Sequence, residues 1–227
     1  MSLAMKALAF WVLGVVITAL PLFLAAGTLA WPAGWINLIL LYGWLLIGIV
    51  LLLRYNPGLL AERLNTSPTN QKTWDKVFFL VFYLFFFGWL VLMPLDAVRF
   101  HWSQMPLVLQ VVGGIALVVS FVLISLVFRE NSYLSGVVRI QEERGHTVIT
   151  TGPYRYVRHP MYAGGLLLFL GTPLLLGSWY GLLLALVMVL IIGLGRIALE
   201  ERTLREELPG YDAYMKQVKY RLIPYVW

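Results

Sequence analysis

Apolar residues fall in long blocks along this chain, separated by short polar stretches. Four runs, at residues 7–30, 36–53, 77–95 and 106–128, are almost purely apolar, and two shorter runs follow at 163–176 and 180–199. The longer ones approach the ~20 residues that carry an α-helix across a bilayer. The short alternating strands of a transmembrane barrel do not occur. The pattern predicts an all-α, polytopic transmembrane helical bundle of five to six membrane helices. The first run exceeds the ~7–15-residue core of a signal peptide and more spans follow it, so it reads as a membrane helix, with Pro21 a candidate kink.

The breaks between runs carry turn chemistry. Residues 31–35, Trp-Pro-Ala-Gly-Trp, read as a turn with interfacial tryptophans. Residues 54–76 form a polar loop containing Asn56-Pro57-Gly58 and Ser67-Pro68, and residues 96–105 a short loop. Gly177-Ser178-Trp179 splits the last two runs into a helical hairpin. The first arm of that hairpin is short for a full crossing. Residues 1–128 then form an N-terminal membrane region, and residues 129–227 a C-terminal region of loop, hairpin and charged tail. No internal repeat is visible.

Composition sharpens the class. The 227 residues are 60% apolar and only 12% charged, with a mean hydropathy of +0.81; soluble domains carry about twice that charge. With no cysteine, disulfides, thiolate metal sites and a cysteine nucleophile are excluded. The net charge of +6 is explained by topology rather than by nucleic acid. With the N-terminus inside and six alternating segments, sixteen of the seventeen Lys and Arg residues lie on the cytoplasmic side and only Arg99 lies outside. The positive-inside rule then makes this a multi-pass protein with both termini in the cytoplasm.

Two polar clusters fall on that side. The first, residues 139–162, contains His146, the turn Gly152-Pro153, and Arg158-His159-Pro160. Pro160 suits the first turn of a helix, so a membrane helix is expected to start near His159. Its N-terminal N–H groups favour an anion, and Arg158 and His159 either reinforce that site or simply anchor the helix at the headgroups. The second cluster holds Arg196, Glu200 and Glu201. Arg196 and Glu200 share a helix face: they form either an ordinary ion pair worth a few tenths of a kcal/mol or a site for an anion and a cation. His146 and His159 lack metal-motif spacing, and neither a phosphate loop nor a Gly-x-Gly-x-x-Gly fingerprint is present. The Phe-rich third run reads as packing or lipid-facing surface.

The order His146-Thr147-Val148-Ile149, Gly152-x-Tyr154, Arg158-His159-Pro160-x-Tyr162-x-Gly164, Arg196-x-x-x-Glu200-Glu201 and Tyr211-x-x-Tyr214 resembles the isoprenylcysteine carboxyl methyltransferase family. Related phospholipid methyltransferases carry a similar Pro-x-Tyr and Glu-Glu. The resemblance covers residues 141–214. It implies S-adenosyl-L-methionine as cofactor, with S-adenosyl-L-homocysteine as product, in a cytosolic pocket without a Rossmann domain. By resemblance, Gln141 and the backbone of His146, Thr147, Val148 and Ile149 contact the cofactor. Tyr154, Arg158, His159, Pro160 and Met161 continue the pocket, and Glu200 completes it. Arg196 faces the carboxylate of the acceptor. Gln141 fits with a variable gap to His146, and Met161 stands where eukaryotic members have a smaller residue. No metal is implied. The expected acceptor is a lipid or lipid-modified molecule with a carboxylate, such as a prenylated cysteine. A phospholipid amine, a thiol, or the different chemistry of an NADPH-dependent sterol-type reductase are the alternatives.

Overall fold

The structure, a computed structural model, describes residues 1–65 and 72–227. The Ser67-Pro68 turn lies outside the described residues. Nine α-helices and no strand occur among them: α1 Leu3–Ala26, α2 Pro32–Tyr55, α3 Pro57–Arg63, α4 Thr73–Pro94, α5 Leu107–Glu130, α6 Pro160–Leu176, α7 Trp179–Leu190, α8 Ile197–Glu207 and α9 Tyr211–Gln217. The helices α1, α2, α5 and α4 with its π-helical extension Leu95–Arg99 are long and apolar enough to cross a membrane. The expected all-α membrane bundle is borne out.

The hairpin also forms where expected. His159 is the residue before α6, and Pro160 occupies its first turn. Gly177 ends α6 in the left-handed region at φ 83°, where a side chain would be strained. Ser178 then caps α7, its hydroxyl accepting from Gly181 N. At 17 residues, α6 is about 25 Å long, short of the ~30 Å hydrocarbon core. The chain runs from α7 through a π-helical turn, Ile191–Arg196, straight into α8.

Three loop expectations are corrected. Pro32 begins α2, because a proline loses nothing at a helix's first position; the turn is therefore over by Trp31. The polar loop after α2 contains α3, capped by the Asn56 side chain, which accepts from Leu59 N. Asp96, read as a loop residue, is fully buried. Its Oδ2 accepts from Ser178 Oγ at 2.6 Å, Ser103 Oγ at 2.7 Å and Tyr180 N at 3.2 Å. A carboxylate at the start of a helix satisfies its free N–H groups, and here it fastens α4 to the far end of the hairpin.

Small residues set the helix packing. The helices α5 and α6 run closely together, with Gly113 against Gly171 and Gly164 against Ile124. Without a hydrophobic force between helices in lipid, such close approach supplies the packing. Ser120 Oγ donates to Gly164 O across the same contact at 2.7 Å. Elsewhere, Trp89 Nε1 of α4 donates to Gly181 O of α7 at 2.9 Å, and Tyr42 Oη of α2 donates to Gly14 O of α1.

A Cβ on Gly113 would press on Leu175 N and lie 2.7 Å from Gly171 O. Backbone cannot yield as a side-chain tip can, so Gly113→Ala is expected to cost about 1–3 kcal/mol. The measurement is thermal unfolding in detergent beside Gly114→Ala, whose Cβ would meet only Leu175 Cδ1 at 3.7 Å. Equal melting temperatures for the two variants would refute the close approach.

Candidate functional site

The two polar clusters fold together at one end of the bundle. Residues 131–159 begin at Asn131, whose Oδ1 accepts from Tyr133 N while its Nδ2 donates to Tyr154 Oη, both at 2.8 Å. Arg139 reaches α3, pairing bidentately with Glu62 at 3.2 and 3.0 Å and also with Glu143. Gly152 takes φ 56°, which opens the short 3₁₀ turn Gly152–Arg155.

Glu201 holds the clusters together. It is buried in α8. Its Oε1 accepts from Arg158 Nε at 2.7 Å and lies 3.2 Å from His159 Nε2, and its Oε2 accepts from Arg221 Nε at 2.9 Å. Burial alone would raise its pKa. The hydrogen bonds from His159, Arg158 and Arg221 outweigh that and hold the carboxyl down at about 2. Arg158 Nη1 also donates to the carbonyls of Val218 and Lys219. The backbone amides of Arg158 and His159 donate to Tyr220 O and Arg221 O. The returning tail thus takes the two amides that precede α6.

Beside this clamp lies a cavity of about 960 Å³, at the upper end of the size usual for ligand sites. His146, Thr147, Val148, Ile149, Tyr154, Arg158, His159, Pro160, Met161, Arg196 and Glu200 all line it. Gln141 does not line it. It is fully buried, its amide donating to Tyr133 O and its carbonyl accepting from Arg144 Nη1 at 2.6 Å. It braces the loop that carries His146. The His146 ring stacks on Tyr133 with centroids 4.5 Å apart. Burial, with Arg144 and Arg139 nearby, pushes its pKa down to about 4, so it is neutral at pH 7.

Arg196 and Glu200 do not pair with each other in the way an ordinary ion pair would. Arg196 Nη2 lies 3.2 Å from Asp75 Oδ1 and donates to Gly136 O at 3.1 Å. Its guanidinium sits over Phe78 and Phe79, 4.8 and 4.6 Å from the ring centroids, a geometry in which the ring faces attract a cation. Its Nε is buried without a hydrogen-bond partner among the described residues. Glu200 accepts from Tyr162 Oη. The cavity continues from this polar end along Phe78, Phe79, Leu80, Phe82, Tyr83, Leu166 and Phe169. The Phe-rich helix α4 is thus both packing surface and cavity wall.

Sequence reasoning passed over Asp75, and named Glu201 and Tyr211 in motifs without giving either a role. Asp75 had one signal, an acid at the edge of an apolar run, where ionisable groups mark sites. The four-residue spacing from Arg196 singles out Glu200, but no sequence signal gives Glu201 its role.

Residues 108–209 match the model of the phospholipid methyltransferase family. A protein-S-isoprenylcysteine O-methyltransferase of Schizosaccharomyces pombe is 35% identical over 85 residues, 37% of this chain and 36% of that protein. The matched stretch thus spans about a third of the length of that curated relative. A solved structure of the eukaryotic intramembrane Ras methyltransferase, isoprenylcysteine carboxyl methyltransferase, superposes with a TM-score of 0.52 at 20% identity, over 97% of this chain and 77% of that one. At that identity it speaks for the fold. These matches agree with the resemblance read from residues 141–214: the chain is similar to the isoprenylcysteine carboxyl and phospholipid methyltransferases.

The clamp has a pH signature. The Glu201 carboxyl is held below its ordinary 4.5, so its contribution to stability is complete above about that pH and is lost as pH falls towards about 2. Acid unfolding should therefore be steeper for the wild type than for Glu201→Gln over that window. At pH 7, Glu201→Gln leaves Arg158 buried without its counter-charge, and breaking such a pair costs about 3–5 kcal/mol. Thermal unfolding against pH checks both, and parallel curves for the two proteins would rule the clamp out.

Proposed function

We propose that this chain is an S-adenosylmethionine-dependent integral membrane methyltransferase acting on a carboxylate of a lipid-linked acceptor, of the prenylated-cysteine kind. The observation that carries the reading is the cavity shared by residues 146–149, 158–162, Arg196 and Glu200, with a polar end and an aromatic extension.

The residues present suit the cofactor. Val148, Ile149, Tyr154, Leu204, Leu208 and Tyr211 give the cavity an apolar, aromatic wall for a nucleoside. Glu200 offers a carboxylate at its polar edge. When bound, S-adenosylmethionine supplies an activated methyl group on a sulfonium. The protein's work is to orient the acceptor and exclude water; alignment alone contributes ~7–11 kcal/mol. A carboxylate is already ionised at pH 7, so no side chain need act as a general base. Arg196 receives that carboxylate with its guanidinium, which Asp75, Gly136, Phe78 and Phe79 hold in place. The aromatic extension takes the lipid chain. The phospholipid methyltransferase match favours a phospholipid as the second candidate, its phosphate then meeting Arg196.

Binding of S-adenosylhomocysteine to purified protein, measured by calorimetry with NADPH as the control, tests the reading. Binding of NADPH alone would turn it towards a reductase. Glu200→Gln keeps an acceptor for Tyr162 Oη, so it should stay folded while losing about 1.5–3 kcal/mol of S-adenosylhomocysteine affinity. Arg196→Lys should keep that affinity, because a lysine loses only the planar fork that meets the acceptor. Its effect belongs in kcat or the acceptor KM. If Arg196→Lys abolishes cofactor binding as fully as Glu200→Gln, the division between the two residues is wrong.

The pocket and both termini face the cytoplasm in this reading. Ion pairs Lys72–Glu207, Arg139–Glu62 and Arg196–Asp75 gather the basic loops and tail at one end, while Arg99 lies beside Gly27 at another turn. Reporter fusions after Lys76 and after Trp227 should report cytoplasm, and a fusion at Arg99 the outside. Opposite results at Lys76 and Trp227 would end this topology.

A further inference from the structure

Three tyrosines stand around the compartment beside Val148 and Ile149, and their hydroxyl groups are treated differently. Tyr154 Oη accepts from Asn131 Nδ2 at 2.8 Å. Tyr214 Oη donates to Tyr154 O at 2.8 Å. Tyr211 is only 4% exposed, lines the cavity, and its Oη is buried without a hydrogen-bond partner among the described residues. Leaving a buried hydroxyl unpaired is unfavourable, and nearly all such groups in folded proteins have a partner. A phenylalanine would fill the same space among Leu208, Tyr214 and Leu204 without that penalty.

The hydroxyl is also kept in its donor form. Burial raises the Tyr211 pKa, and the carboxylates of Glu201 and Glu200 push it the same way. It therefore remains protonated throughout the physiological range, held close to the acid that serves the cofactor in the proposed reading. The surrounding wall is apolar and aromatic, which suits a flat heteroaromatic base whose ring nitrogens and ribose oxygens accept hydrogen bonds.

We infer that Tyr211 is a cofactor-contact residue, its hydroxyl donating a hydrogen bond to the bound adenosyl group. The inference rests on the methyltransferase reading above and gives the Tyr211 hydroxyl, used there only as part of an aromatic wall, a polar role of its own. Tyr214 is the structural counterpart: its hydroxyl is spent on the Tyr154 carbonyl and ties α9 to the 3₁₀ turn.

The test compares Tyr211→Phe and Tyr214→Phe in the full chain in detergent, with S-adenosylhomocysteine as the probe. Tyr211→Phe should weaken S-adenosylhomocysteine by about five- to tenfold, the loss of one hydrogen bond, and leave the melting temperature without ligand unchanged or slightly raised. Tyr214→Phe should lower that melting temperature by about 2–4 °C. Unchanged affinity in Tyr211→Phe would overturn the inference while leaving the methyltransferase reading intact. So would a fall in its ligand-free melting temperature as large as that of Tyr214→Phe, since the hydroxyl would then have a partner within the protein. A wild type that does not bind S-adenosylhomocysteine would overturn the reading itself, and the inference with it.

Discussion

A buried Glu201 carboxylate facing Arg158, His159 and Arg221 is the contact on which this end of the molecule depends. Each partner comes from a different piece of chain: Arg158 and His159 precede α6, Glu201 lies on α8, and Arg221 lies in the tail. A loop of nearly thirty residues between two membrane helices has no sheet or long helix to organise it. Its fixed points are charges, and buried charges are tolerated only when paired and hydrogen-bonded. The tail carbonyls complete the arrangement by taking the Arg158 side chain and the amides before α6. Removing one acid would release the loop, the tail and the start of α6 together.

The cavity follows from that clamp. Once residues 157–159 are fixed against the tail, His146, Val148 and Ile149 are carried over α8 and α9, where Val148, Ile149 and Met161 pack on Tyr154, Leu208 and Tyr211. The opposite wall belongs to α4. Asp75 and Phe78, on its first turns, receive Arg196 from beyond the hairpin. The N-terminal helices, which carry no recognisable motif, thereby enter the site through one acid and a row of aromatic rings.

The membrane helices were legible in the sequence because their lengths and apolarity are set by lipid, and the start of α6 because Pro160 fits one helical position well. Most residues expected at the site line one cavity. Gln141 does not, because its amide is needed to close the loop on Tyr133 and Arg144. What stayed hidden depends on contacts between distant segments: α3, whose capping by Asn56 competed with a plausible turn; Asp96, whose burial needs Ser103 and Ser178 to arrive from elsewhere; and Asp75. Local pattern reports the face a residue occupies, not the partner that face will meet.

The adjacent acids Glu200 and Glu201 show how one turn of helix divides two tasks. Neighbouring residues on an α-helix point about 100° apart, so a Glu-Glu pair sends its two side chains in different directions. The π-helical turn that ends at Arg196 sets the rotation of α8 that follows, and extra residues of this kind recur at functional sites. In the rotation adopted, Ile197, Glu201 and Thr203 face inward, while Arg196 and Glu200, four apart, both reach the cavity. Glu201 meets two arginines and a histidine, and its charge is consumed in holding the fold. Glu200 meets a neutral tyrosine hydroxyl and lies 3.9 Å from the His159 ring, so its charge is far less compensated by the protein. Had α8 turned by one residue so that Glu200 met the two guanidinium groups, Leu199 would take its place at the cavity. The same two letters would then hold the fold and leave the cavity without a carboxylate to offer.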